Sequence, residues 1–515
     1  MNKKSVKLRF FSTVVTNVLR AGISFIAGVM VARVLGPSEY GNFDFLCGSF
    51  TSLATFVNMS SSTAFYTFIS QKQRGRKFFL YYSVWVLIQF LVLLLFVLFL
   101  SGSLRQKIWL GHSFELVLLA LFASFAMNQL WTFAAQIGES IRDTVGVQVR
   151  NLALAAVYLV CILVLSKLDF ISVKSLFILD IILYLLFSIL YVRRVYQVGA
   201  LSGEYNEDLK NILAEFKRYC LPLVVYTAIV FMYSFADYWF LQKFGGSTQQ
   251  GYYAIGMRFA NVSLIATISM MQVFWKEIAE AYSLGNMERI RMLYRLTSRI
   301  SYSVSAAISC AMIPFTREIL ALFVGPSYQE AWLPLSLMFF SPLYQSMGQV
   351  ATTMLYATGK TKIHSYIWIF VMALSIPITY LLLASHLSVV PGLQLGAIGL
   401  AIKRLGVLIL GVNLAVFFIS RRLNILFDWG HQIYVVFLLL SFGFLSKLVA
   451  QCMLFPAFFV KHSIWVMALS GVFYAAMVMV LFYFFPSILG MNKQQIKHGV
   501  AWVWAKINPA QMVWR

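Results

Sequence analysis

The chain holds 515 residues, 60% of them hydrophobic and 11% charged, with a mean hydropathy of +0.79. So little polar surface excludes a soluble globular protein and reads as an integral membrane protein. The formal net charge of +23 goes with membrane topology and attraction to lipid headgroups, and implies no nucleic-acid partner.

The opening "MNKKSVKLRFFSTVV" has the basic start of a signal peptide. Its apolar run is longer than such a peptide needs, contains Arg20 and lacks an A-x-A-like site, so it reads as a first transmembrane helix. A hydrocarbon core about 30 Å thick takes roughly twenty apolar residues per helix. On that ruler fourteen spans follow, over 10–32, 43–69, 78–101, 114–137, 145–166, 171–192, 219–242, 251–275, 298–324, 331–357, 364–385, 394–419, 432–456 and 463–488. The joints are short. The longest, 193–218, is polar and patterned as an amphipathic surface helix. The expected fold is all-α and polytopic, with about 14 transmembrane helices. It comprises an N-terminal lobe of six (1–195), a linker (196–218), a C-terminal lobe of six (219–422), and helices 13 and 14 with a tail (423–515).

Lysine and arginine in short loops set orientation. One side carries Lys72, Arg74, Arg76 and Lys77, then Arg193, Arg194, Lys210, Lys217 and Arg218, then Lys276, Arg289, Arg291, Arg295 and Arg299. The opposite side carries few, which predicts that both termini and the linker are cytoplasmic. The five cysteines and six histidines are scattered, in no spacing that suits a metal or a disulfide framework, so no metal and no cofactor is expected.

An internal repeat stands out. Residues 36–43, "GPSEYGNF", and 246–253, "GSTQQGYY", each join the first span of a half to its second, with Gly36 and Gly41 spaced like Gly246 and Gly251. Both copies start and end on the same sides. Two parallel halves related by a pseudo-two-fold axis along the membrane normal are expected, an architecture of alternating-access transporters.

Polar residues recur at helical spacing inside the spans: Thr13, Asn17, Arg20 and Ser24 in the first; Asp44, Gly48, Thr51, Thr55, Asn58 and Ser62 in the second; Asn128, Thr132 and Gln136 in the fourth. Serines and threonines there also serve helix packing. Charges need more. Arg20, Arg150, Arg258, Lys403, Arg404 and Lys447 lie inside spans, against Asp44, Asp180 and Asp237, which predicts a cationic interior. A guanidinium fork fits two phosphate oxygens, so the sign favours a diphosphate over a cationic drug. Arg20, with Asn17 on its face, is the leading substrate-binding candidate, followed by Arg258, Arg150 and Asp44; Asp44 also suits a helix cap or a pair with Arg20 or Arg258. Asp237 and Asp180 are candidates for ion coupling or for simple pairing. Lys403 and Arg404 are adjacent and point about 100° apart, so one of them is expected to be a structural partner.

"ARVLGPSEYGNF" at 32–43 resembles the signature of polysaccharide exporters in the multidrug/oligosaccharidyl-lipid/polysaccharide (MOP) superfamily. "GYYAIGMRFANV" at 251–262, "YATGKTKIHSYIWIFVMALSIPITYLLL" from 356 and "GLQLGAIGLAI" to 402 resemble its second-half patterns. The likeness runs from about residue 10 to 420. It implies a flippase that moves undecaprenyl-diphosphate-linked oligosaccharide across the bacterial inner membrane by alternating access. The partners implied are that lipid-linked glycan, membrane lipids, H+ or Na+, and polysaccharide polymerase machinery. Helices 13 and 14 resemble those of the lipid II flippase branch, whose arginine in helix 1, acid in helix 2 and arginine in helix 8 match Arg20, Asp44 and Arg258. The tail groove of that branch would run along 432–456, where Lys447 sits. The alternatives are a cation-coupled drug exporter of the same fold, disfavoured by the arginines, and a membrane glycan polymerase or ligase, disfavoured by short periplasmic loops. An enzyme is not expected.

Overall fold

The computed structural model of the protein describes residues 3–141, 143–197, 208–424, 429–453, 463–491 and 494, and among these every regular element is helical. Of the expected linker, 198–207 lie outside the described residues, as does most of the tail. The chain falls into two compact units. One comprises Met1–Ile255, Phe323–Glu330 and Met372–Lys403; the other comprises Gly256–Leu322, Ala331–Val371 and Arg404–Arg515.

The helices, in chain order, begin with α1 (Lys3–Asn58), α2 (Ser61–Gln71), α3 (Arg76–Phe99), α4 (Gly102–Ile108), α5 (Phe114–Phe125), α6 (Trp131–Ser140) and α7 (Thr144–Lys167). Next come α8 (Val173–Gln197), α9 (Leu209–Cys220), α10 (Val224–Phe240), α11 (Gly246–Ala260), α12 (Ile265–Ser283), α13 (Met287–Met312) and α14 (Thr316–Phe323). Last are α15 (Trp332–Met338), α16 (Ser341–Ala357), α17 (Thr361–Leu383), α18 (Gly396–Leu423), α19 (Trp429–Met453) and α20 (Ser463–Phe484).

Eleven helices among the described residues are long and apolar enough to cross a membrane. Two are composite. Val15–Asn58 has 44 residues and Leu209–Leu264 has 56, about 66 and 84 Å at 1.5 Å per residue, each more than twice the hydrocarbon thickness. Each therefore holds two crossings, divided at a glycine: Gly36 (φ 72°, ψ 173°) and Gly246 (φ 76°, ψ 176°) break the helical path with nearly the same backbone conformation. The span expected over 331–357 is made of two shorter helices, α15 and α16, and completes the fourteen.

The repeat is also a contact. A Cβ on Gly41 would overlap the carbonyl oxygen of Ser247, and a Cβ on Gly251 would overlap that of Pro37. Ser247 is the repeat counterpart of Pro37, so the contact is reciprocal, as a two-fold axis requires. Ser38 and Ser247 share a 2.8 Å hydroxyl hydrogen bond beside it.

In the first unit, α1 packs on α7 and α10, and aromatic side chains fill the core. Phe65 stacks on Tyr82 with 4.0 Å between centroids, and Phe50 stacks on a fully buried Trp109. The amphipathic α9 buries Ile212 and sets Phe216 edge-on to Phe68. Arg74 locks it there. Its guanidinium is buried, lies 4.6 Å from the Phe78 ring centroid, and donates to both Glu215 oxygens at 2.7 and 2.9 Å. The second unit is built differently. Its α13 presents fully buried Ser301, Ser303, Ser305 and Ser309, small enough to let neighbouring helices approach closely. Ser309 bonds Ser263, and Tyr302 donates to the Gln432 carbonyl.

Candidate substrate-binding site

Arg20 lies on α1 midway through the first crossing. Its side chain is exposed and makes no hydrogen bond or ion pair with any described residue, while Asn17, one turn earlier, is half-buried. An uncompensated guanidinium at that depth costs about 2.5–3.5 kcal/mol on insertion scales. The neighbouring polar groups come from α8: Tyr184 stands within electrostatic reach of both Arg20 and Asp180, and Asp180 is buried without a hydrogen-bond partner among the described residues. The first crossing and α8 therefore bring a cation, a phenol and a carboxyl group into one neighbourhood.

Asp44 sits elsewhere. It follows the Gly36 break and accepts a 2.7 Å hydrogen bond from Gln250 Nε2, next to the Gly41–Gly251 crossing. Asn42, close by, accepts from Gln242 Nε2 at 3.1 Å and faces the His112 ring at 3.2 Å. Gln242 and Gln250 are thus neighbours of the candidate residue Asp44 that sequence reasoning did not single out, although Gln250 lies within the second "G-x-x-x-x-G" copy and Gln242 one turn before it.

The remaining intramembrane charges are largely neutralised inside their own units. Lys403 Nζ donates to both Asp237 oxygens at 2.7 Å, over the Tyr233 ring, with a lysine side chain only 1% exposed. Thr379 adds a 3.3 Å hydrogen bond to the same carboxylate. Arg150 contacts Asp143 at 3.6 Å and stacks on Tyr191 at 4.4 Å. In the other unit, Lys447 donates to Glu318 and to the Pro314 carbonyl, both at 2.6 Å. Lys447 is thereby turned toward α14 and held by a partner, not left as a bare charge along 432–456. Arg404 in that unit reaches Gln345 with one 3.4 Å bond, and its Nε is buried without a hydrogen-bond partner among the described residues. Arg258, half-buried on α11, belongs to the same unit. Among the described residues, Arg20 and Arg404 are therefore the intramembrane cations that no printed acid neutralises, and Lys403 is the structural member of the adjacent pair. Among the described residues no group of three metal-ligating side chains gathers.

Comparison with known proteins agrees with this architecture. The family model described as "Polysaccharide biosynthesis protein" matches residues 8–275, and the MatE family model matches 222–381. No curated protein matches the chain. Among solved structures, the lipid II flippase MurJ in an inward closed conformation is 14% identical, with a TM-score of 0.67, covering 91% of this chain and 98% of that one. An inward-facing multidrug resistance MATE transporter is 13% identical, with a TM-score of 0.55 over 80% and 95% of the two chains. A MOP transporter from Pyrococcus furiosus, described as having a binding pocket of reversed polarity, is 13% identical, with a TM-score of 0.51 over 80% and 95%. Likeness at this identity shows the fold, which is that of flippases and transporters. With a family match over more than half its length, the chain belongs to the polysaccharide biosynthesis protein family.

Proposed function

We propose that the protein translocates an undecaprenyl-diphosphate-linked oligosaccharide from the cytoplasmic to the periplasmic leaflet of the bacterial inner membrane. The observation that carries this reading is Arg20: exposed, deep in a span and, among the described residues, without a hydrogen-bond or ion-pair partner. A diphosphate supplies the missing counter-charge and matches the guanidinium fork. Arg258 and Arg404 add positive charge, Asn17 and Asp44 orient the headgroup and Arg20's surroundings, and Arg150 attracts the headgroup near the cytoplasmic ends. The lobes over 1–195 and 219–422 alternate about the linker while the polyprenyl tail stays in lipid. The excess of basic loop residues on one side supports cytoplasmic termini and a cytoplasmic α9. Asp180, buried and without a hydrogen-bond partner among the described residues, suits coupling to H+ or Na+; Asp237 serves that role only when Lys403 releases it. Cationic drug export is the weaker reading, because an unpaired arginine repels such a cargo.

Two variants test the proposal. Arg20→Ala keeps normal membrane abundance, since no described contact is lost, but stops glycan export; Arg20→Lys retains charge without the fork and is partly active. Normal export by Arg20→Ala removes the residue from the site. Independently, purified protein binds a polyprenyl-diphosphate glycan far better than its dephosphorylated analogue, and equal affinities for the two would remove charge recognition from the mechanism.

A further inference from the structure

The second and fourth crossings share a face that the charge argument leaves unexplained. The second crossing is interrupted within its length: Met59 and Ser60 adopt φ of 47° and 64°, and helix resumes at Ser61. Neither residue is glycine, so the left-handed conformation is held against its intrinsic cost. Opposite it, the fourth crossing carries a single π-helical turn, Ala126–Leu130, between α5 and α6. Such turns add a residue and gather at functional sites. The two irregularities are joined, since Asn58 Nδ2 donates to Gln129 Oε1 at 3.3 Å while Asn58 Oδ1 caps the amide of Ser62.

Around this joint runs a face of amides and hydroxyls, with one carboxylate, Glu139, at its end. Asn128 donates to Thr51, Gln136 donates to Ser62, and Tyr66 stands within electrostatic reach of Glu139 one helical turn further on. Thr51 and Tyr66 are exposed; Ser62, Asn128, Thr132 and Gln136 are half-exposed. Two acceptors are left over: Gln136 Oε1, and the Oε1 of Gln89, a side chain 2% exposed whose amide nitrogen donates to Ser61. A face of amides and hydroxyls has no reason to meet lipid tails, which satisfy none of them. Nor does it suit a phosphate, because it contains no lysine or arginine. It suits sugar hydroxyls, which donate and accept at once, and the exposed Tyr66 ring offers an apolar platform for a pyranose.

Building on the flippase reading above, we infer that this face is the subsite for the neutral sugars of the lipid-linked glycan. Its residues come from the second and fourth crossings, whereas the arginine that would hold the diphosphate is on the first. Thr51, Ser62, Tyr66, Asn128, Thr132 and Gln136 are its contact residues, and the paired helix irregularities hold the amides in place.

The test uses the full chain in nanodiscs and two probes, undecaprenyl diphosphate alone and the lipid-linked oligosaccharide extracted from the host membrane. Wild type binds the glycan-bearing lipid about tenfold more tightly than the bare one, and Gln136→Leu abolishes that preference without changing affinity for bare undecaprenyl diphosphate. Thr132→Val, which is nearly isosteric, shows the same selective loss on a smaller scale and carries the test if Gln136→Leu fails to fold. Equal loss for both lipids, or no change for either, overturns the subsite. Wild type binding both lipids equally also overturns it while leaving the diphosphate reading intact. Wild type binding neither lipid overturns both.

Discussion

Gly41 and Gly251 pack so closely across the repeat that neither has room for a methyl group: each would drive a Cβ into the backbone at the residue following the other copy's leading glycine. Gly41→Ala is therefore expected to cost about 1–3 kcal/mol, the usual range for overpacking, and Gly251→Ala a similar amount. Gly22→Ala, in open space on the same helix, is expected to be neutral or slightly stabilising. Melting temperatures of the three purified variants check this. Equal behaviour of Gly41→Ala and Gly22→Ala would mean the crossing yields freely.

Breaking the Asp237–Lys403 pair from one side strands a buried charge. Lys403→Met and Asp237→Asn should each destabilise by about 3–5 kcal/mol, and the double variant by clearly less than their sum. Thermal unfolding of the four-protein cycle measures the coupling. Additive losses would show that the two residues are energetically independent, which the 2.7 Å contacts do not allow.

Arg74 holds α9 through a planar, two-pronged contact that lysine lacks the shape to make. Arg74→Lys should loosen α9 by about 1–2 kcal/mol, as expected for a charge-assisted bond that is lost or weakened. In a background without the native cysteines, Ile212→Cys reports the change: its buried thiol reacts faster with a soluble maleimide once Arg74 is replaced. An unchanged rate would assign the anchoring of α9 to Phe216 alone.

His112, in the loop before α5, has its imidazole pKa pushed below the ordinary 6.5 by burial, against weaker opposing effects of the Trp109 carbonyl and Glu39. Because the folded pKa is depressed, the ring stays neutral in the folded protein while the unfolded chain takes up a proton. The stability associated with it is present above pH 6.5 and lost as pH falls from there through the folded value. Melting temperature measured from pH 7.5 to 5 should fall less steeply for His112→Gln than for wild type. Parallel slopes would clear His112 of any part in the acid sensitivity.

The crossings, the amphipathic α9 and the glycine repeat were all legible in the chain, because each is written in local terms: a run of apolar residues, a 3.6-residue period, a fixed spacing of residues tolerant of positive φ. The stripes through Thr51, Asn58 and Ser62 and through Asn128, Thr132 and Gln136 were visible for the same reason. Partnership was not legible. Lys403 and Asp237 lie 166 residues apart and Lys447 and Glu318 lie 129 apart, so only the packing of distant helices selects those acids and leaves Arg20 without an ion pair among the described residues. The break at Met59–Ser60 and the π-turn at Ala126–Leu130 were also hidden, since no glycine or proline marks either. Each exists because hydrogen bonds across the helix pair repay a distortion that neither segment would adopt alone.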